Sequence, residues 1–166
     1  MRPLEGITVV TLEHAIAAPF ATRQLADLGA RVIKIERPGT GDSARGYDQR
    51  VKGLASHFVW TNRSKESLAL DVKRPRAAKL LMQLIIDKAD VVVQNLAPSA
   101  AARLGVSFDA LKDRRPDLIV CDISGYGDDA QAPGPYRDKK AYDLLIQSES
   151  GFVSVTGTPD EPCKAG

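Results

Sequence analysis

The stretch from Gly6 to Arg45, GITVVTLEHAIAAPFATRQLADLGARVIKIERPGTGDSAR, constrains the fold of this chain more than any other. Ile7–Leu12 is a β-branched run long enough for a strand buried on both faces. Ala18, Ala21, Leu25 and Leu28 then recur at helical spacing and predict a helix with one stripe against a sheet. Gly29 falls where a helix C-terminus favours a residue tolerant of positive φ, and Arg31–Glu36 reads as a second strand. Strand, helix and strand with connections this short imply a parallel pair joined by a right-handed crossover. Ligands of such sheets collect beyond the carboxyl ends of the strands. The loop Glu13–Ala17 and the loop after Glu36 are therefore the first candidates for chemistry.

The rest of the chain repeats the theme. Arg37–Ala55 has no clear period and reads as a long loop. Ser56–Trp60 fits a helical turn or a strand equally, and Glu66–Asp71 alternates like a short extended segment. Pro75 suits a first helical turn, and Ala77, Leu80, Leu81, Leu84 and Ile85 carry an amphipathic helix to about Lys88. Asp90–Gln94 is a third buried strand, Pro98–Leu104 a short helix stopped by Gly105, and Phe108–Arg114 a helix with Ser107 at its N-cap. Leu118–Ser124 is a fourth strand, Gly125–Lys140 a second long loop and Ala141–Ser150 a helical candidate. This order predicts a doubly wound α/β sheet, mostly parallel, with helices on both faces. Gly151–Gly166 begins as a strand-like apolar piece, and nothing after Pro162 closes an element. The expectation is a piece of a longer polypeptide, whose apolar surface the remainder or a partner covers.

Charge excludes several function classes. The 166 residues carry 23 basic and 21 acidic side chains, a net +2, which leaves no nucleic-acid footprint. No apolar run approaches the roughly 20 residues of a membrane-spanning helix. Met1–Gly6 leads into a strand rather than a signal-peptide core. Cys121 and Cys163 lack metal or redox spacing and read as reduced thiols, so the expected location is cytoplasmic.

Single residues speak less clearly. The first turn, Glu13 to Pro19, contains no glycine, which argues against a dinucleotide site. Glu36 is placed like a ribose-binding carboxylate, although a solvated strand end reads the same. His14 fits a ligand contact or a core histidine equally, while His57 beside Phe58 and Val59 reads as structural. Asn95 and Tyr126 follow strands directly, on the ligand edge. Gly39-Thr40-Gly41 reads as a plain turn before it reads as a phosphate cradle. Arg37, Lys73, Arg103 and Lys140 lie near element ends where phosphates could meet them, and Asp143 and Asp160 are isolated carboxylates.

In combination these residues resemble a family. The motifs are Pro3-Leu4-Glu5-Gly6, the His14 to Pro19 turn, Leu25–Pro38, Gly41-Asp42 with Arg45, Asn62–Lys73, Ala89–Pro98 and Arg103-Leu104-Gly105. They continue with Ser124-Gly125-Tyr126-Gly127, Gly134-Pro135-Tyr136, Lys140-Ala141-Tyr142-Asp143 and Val155–Pro162. In this order the chain resembles the class III CoA-transferases of the formyl-CoA and carnitine CoA-transferase type.

The resemblance implies a Rossmann-like large domain, of which residues 1–166 are the N-terminal part, and a homodimer of interlocked subunits. It implies transfer of coenzyme A between small carboxylic acids through an aspartyl-CoA thioester, with acyl-CoA as substrate and no permanently bound cofactor. Motif by motif, the CoA contacts would be His14, Ile16, Ala17, Arg37, Leu70, Asp71, Val72, Lys73, Asn95, Leu96, Arg103 and Lys140, with Tyr142 near the acyl group. The family nucleophile is an aspartate a few residues beyond the segment matching Thr156–Gly166, which leaves Asp160 a loop carboxylate and no catalytic residue within the chain. Ile16 stands where formyl-CoA transferase has glutamine, which argues against a formyl/oxalate pair. A 2-methylacyl-CoA racemase of the same fold is the alternative, but it carries Gly-His-Asp where this chain has Ala141-Tyr142-Asp143. Tyrosine, with an ordinary pKa of about 10, is a poor base for that chemistry. A non-catalytic CoA-binding fragment is the remaining reading.

Overall fold

The structure is a computed structural model that describes residues 1–97, 99–127 and 131–165. It divides into two compact units, Met1–Ile123 and Ser124–Gly166.

The first unit is built on five parallel strands: β1 (Thr8–Leu12), β2 (Arg31–Glu36), β3 (Lys65–Ala69), β4 (Val91–Gln94) and β5 (Ile119–Asp122). Their order across the sheet is β3-β2-β1-β4-β5. The chain thus winds outward from β1 in one direction, returns, and winds outward in the other. That is the doubly wound topology expected from the alternating strands and helices. Central β1 and β2 are almost wholly buried, which is why they read as near-continuous apolar runs. β3 and β5 are edge strands with mostly exposed residues, and β3 carries Lys65, Glu66 and Ser67, so its alternation reads weakly.

Each face of the sheet carries helices. On one side, Val10, Leu12, Ile33, Ile35 and Val92 form a cluster with Leu81 and Ile85 of α3 (Pro75–Lys88), Ala101 of α4 (Ala100–Leu104) and Leu111 of α5 (Phe108–Leu111). On the other, Val9, Val32 and Val93 pack on Ala18 and Ala26 of α1 (Ala17–Asp27). α2 (Ser56–Asn62) contacts α1, which resolves the ambiguous Ser56–Trp60 stretch as helix. Asp48 caps it from a distance, accepting from the Ser56 backbone N–H at 2.9 Å.

Several boundaries differ from the sequence reading. The buried stripe of α1 runs through Ala18, Thr22 and Ala26, while Leu28 is exposed. The helix turns Thr22 inward because its hydroxyl donates to the Glu13 carboxylate at 2.7 Å. Gly29, at φ 108°, ends this helix as expected. α5 stops at Leu111, and Ser107 occupies its N-cap position without a side-chain cap bond. Pro98, with which α4 was expected to begin, lies outside the described residues, as does Gly166.

The second unit holds α6 (Asp143–Glu149) and a 3-10 turn, Val153–Val155, where a strand-like piece was expected. Among its described residues none is buried, and Tyr142, Leu144, Leu145, Phe152 and Val155 are exposed. Tyr126 donates its hydroxyl to Glu149 at 2.8 Å and meets the Tyr136 ring edge-on.

Candidate functional site

Beyond the carboxyl ends of β1, β2 and β4 lies a cavity of about 560 Å³. β1 and the turn after it contribute Leu12 and His14, and the end of β2 contributes Ile35, Glu36 and Arg37. The loop after β3 adds Leu70, Val72 and Lys73. The segment after β4 adds Leu96, Ala97, Ala100, Arg103 and Leu104. The body of the cavity is apolar, and three basic side chains, Arg37, Lys73 and Arg103, stand in its wall. The opposing carboxylate, Glu36, is already neutralised. Arg45 grips both its oxygens at 2.8 and 2.7 Å, Ser67 donates at 2.7 Å and the Asp42 N–H at 3.0 Å. Burial pushes its pKa up, but these four donors overcome that and hold it down at about 2. With its oxygens so engaged, Glu36 does not serve as the ribose carboxylate that its position suggests. Gly41 (φ 63°) packs under this pair, where a Cβ would meet Glu36 Oε2 at 2.6 Å. Its N–H donates to the Arg37 carbonyl at 2.9 Å, so Gly39-Thr40-Gly41 is a turn.

The structure therefore gathers His14, Arg37, Leu70, Val72, Lys73, Leu96 and Arg103 from distant parts of the sequence into one wall. The remaining expected contacts stand elsewhere. Asn95 is behind His14: its Oδ1 accepts from the His14 N–H at 2.8 Å and its Nδ2 donates to the His14 carbonyl at 2.9 Å. Ile16 and Ala17 open α1, whose first-turn N–H groups lack intrahelical acceptors. Asp71 folds back on its own loop, accepting from the Lys73 N–H at 3.2 Å. Lys140 and Tyr142 belong to the second unit, both exposed, with Tyr142 at the N-cap position of α6. Asp143 accepts from Gln147 at 2.7 Å, and Asp160 is exposed. His57 sits edge-on to Tyr47 and Trp60, away from the cavity lining.

Half-buried His14 has its pKa lowered. Burial is the main cause, and nearby Arg37 and Lys34 add to it against Asp42 and Glu13. Its imidazole is therefore neutral at neutral pH and offers one donor and one acceptor.

Beneath the His14 turn lies a polar cluster that sequence reasoning did not assemble. Glu13, only 1 % exposed, accepts from Thr11 (2.8 Å), Thr22 (2.7 Å) and Lys65 (2.7 Å). Lys34, equally buried, donates to Asp42 at 2.5 Å and to Asn62 at 2.7 Å. The signal was a lysine inside an otherwise apolar central strand. A charge there needs a partner, but the sequence does not say which. Among the described residues no cluster of His, Cys, Asp or Glu could hold a metal ion, and no helix is long and apolar enough to cross a membrane. Both cysteines are free and exposed.

Comparison with known proteins shows the family. Residues 4–166 match the model of CoA-transferase family III. The chain belongs to that family. It is 40 % identical over 172 residues to a succinate–glutarate CoA-transferase of Agrobacterium fabrum, covering 99 % of this chain and 42 % of the relative. It is 39 % identical over 160 residues to an acetyl-CoA:oxalate CoA-transferase of Acetobacter aceti, covering 96 % and 40 %. Among solved structures, a CAIB/BAIF family protein from Brucella suis superimposes with a TM-score of 0.88 at 36 % identity, covering 99 % of this chain and 44 % of that one. The chain thus spans about two fifths of the length of the curated relatives it matches.

Proposed function

We propose that the cavity binds coenzyme A and that the complete enzyme transfers CoA between two small carboxylic acids. One observation carries the reading: four loops converge to give an apolar body with Arg37, Lys73 and Arg103 in its wall. An adenine ring suits Leu12, Ile35, Leu70, Val72, Leu96 and Leu104, while the phosphates suit the three cations. The N–H groups of Ile16 and Ala17, at the start of α1, serve as further anion donors. The family resemblance adds Lys140 as a CoA contact and Tyr142 near the acyl group, and a tyrosine hydroxyl can donate a hydrogen bond to a carboxylate or anhydride oxygen. The names of the relatives, which include succinate, glutarate and oxalate, support small carboxylic acids as partners.

In the proposed cycle an aspartate beyond position 166 attacks the thioester carbonyl of acyl-CoA and expels CoA thiolate, leaving a mixed anhydride. The thiolate attacks the aspartyl carbonyl, which releases the donor acid and forms aspartyl-CoA. The acceptor carboxylate then attacks the aspartyl-CoA carbonyl and expels the thiolate, giving a second anhydride. The thiolate attacks its acceptor acyl carbonyl, which forms the new acyl-CoA and releases the aspartate. Fixed donors stabilise each oxyanion, and exclusion of water protects the anhydride. Written this way, the reaction needs no bound metal or redox cofactor. The family resemblance further supports a homodimer of interlocked subunits acting in the cytoplasm.

Calorimetric titration with CoA tests the site. Binding should weaken with added salt, and Arg37→Ala or Arg103→Ala should each raise Kd about tenfold. No binding at low salt would overturn the assignment. In the complete polypeptide, hydroxylamine trapping after incubation with acyl-CoA should mark an aspartate beyond 166. α-Proton exchange without any adduct would point to the racemase.

A further inference from the structure

The turn that carries His14 into the cavity wall contains a residue that does not favour its conformation. Ala15 has φ 62°, in the left-handed region, although no glycine is present to accept it easily. Two side chains from other elements hold this backbone. Asn95 grips His14 as described, and Asp42, from the loop after β2, accepts the Ala15 N–H on Oδ1 at 3.0 Å. The same oxygen takes the Ala44 N–H at 2.9 Å, while Oδ2 receives the Lys34 ammonium. The Asp42 side chain is 0 % exposed, so neither oxygen is open to a ligand. Its own N–H donates to Glu36 Oε2 at 3.0 Å, which ties the same loop to the strand end next to Arg37. A buried ion pair of this kind contributes little net stability over an apolar substitute. What it supplies here is geometry.

We propose that Asp42 is a positioning residue for His14: anchored by Lys34, it fixes the left-handed Ala15 and so sets the cavity wall against which the nucleotide part of CoA packs. The inference rests on the CoA reading of the cavity. The charged groups around the imidazole are Asp42, Glu13, Lys34 and Arg37, with Lys73 and Arg103 lining the same cavity. Loss of the Asp42 carboxylate removes one of the two influences that raise the His14 pKa.

Two double variants isolate the acceptor from the charge. Lys34→Met/Asp42→Asn keeps an oxygen for the Ala15 N–H, whereas Lys34→Met/Asp42→Ala does not. The first should bind CoA within about threefold of the starting protein and the second about tenfold more weakly. In ligand-free protein, at a pH where the imidazole is neutral in all three proteins, the His14 ring resonances should stay in place in the first and move in the second. Equal Kd values and unmoved resonances in both would overturn the proposal. Should the alanine variant fail to fold, amide exchange in the unaltered protein decides the matter. The Ala15 N–H should be protected about a hundredfold or more, together with that of Ala44. Free exchange at Ala15 would overturn the proposal as well. If the unaltered protein binds no CoA, the reading of the cavity fails, and the His14 resonances and Ala15 exchange still judge the positioning role.

Discussion

On the face covered by α3, α4 and α5, the central strands offer Val10, Leu12, Ile33, Ile35 and Val92 to an apolar layer. On the face covered by α1 and α2, alternate positions of the same strands include Thr11 and Lys34, followed by Glu13 and met by Lys65 from β3. Both faces are buried, the first by apolar contact and the second by an apolar layer of Val9, Val32 and Val93 with the charged cluster beside it. The apolar face gains from area removed from water and does not depend on direction. The charged face must offset desolvation with paired groups, and among the described residues no buried side-chain nitrogen or oxygen lacks a partner. Directional bonds reach further than packing. From the charged face they run to Ala15, Ala44 and the Pro19 carbonyl, all in connections or helix starts at the ligand edge. Apolar packing sets where the sheet is, and the charged cluster sets how its loops stand.

Breaking the charged face should have the largest effect. Glu13→Leu takes the carboxylate from the buried Lys65 ammonium, which keeps only the neutral Pro19 carbonyl and Asn62 amide oxygen. It also takes the acceptor of the Thr11 hydroxyl, and should cost about 3–5 kcal/mol in urea denaturation. Glu13→Leu/Lys65→Met should recover much of that loss. A single variant costing less than about 1 kcal/mol would show that water reaches the cluster.

The next effect is in pH. Glu36 has a folded pKa of about 2 against an ordinary 4.5, so the unfolded chain binds the proton first. Stability is then fully present above pH 4.5 and is lost as the pH falls toward 2, by on the order of 2 kcal/mol. Glu36→Gln should flatten the acid limb of a stability–pH curve; an unchanged slope would assign it to other carboxylates.

The smallest effect lies on the apolar face. Ile85→Val should cost about 1 kcal/mol. It should leave both the acid limb and CoA affinity unchanged, and a change in either would mean that the two faces are coupled.

The elements that the sequence made legible are those whose signal is local. β2 at Arg31–Glu36 and α3 at Pro75–Lys88 appear where periodicity and the first-turn proline put them. β3 was only a short alternating segment, because an exposed edge strand has no buried face to mark it. The Ser56–Trp60 stretch stayed ambiguous because a helix of seven residues shows less than two full turns of pattern and takes its cap from Asp48, eight residues away. Apart from His14, the expected contacts with side chains in the cavity wall carry charge or apolar bulk in the connections that follow the strands, such as Arg37, Lys73 and Leu96. Asn95 also follows a strand directly, yet its amide turns back to hold His14.

By itself, then, the sequence determined the alternation of strands and helices, and with it a parallel, doubly wound sheet with its ligand edge at the carboxyl ends. Those follow from period and connection length, which are properties of neighbouring residues. Only the tertiary structure decided which charges meet. Lys34 pairs with Asp42, and Lys65 with Glu13 across 52 positions, because strand order brings β3 and β1 to either side of β2. Partner choice for a buried charge is a matter of distance in space, and a linear sequence does not carry that distance.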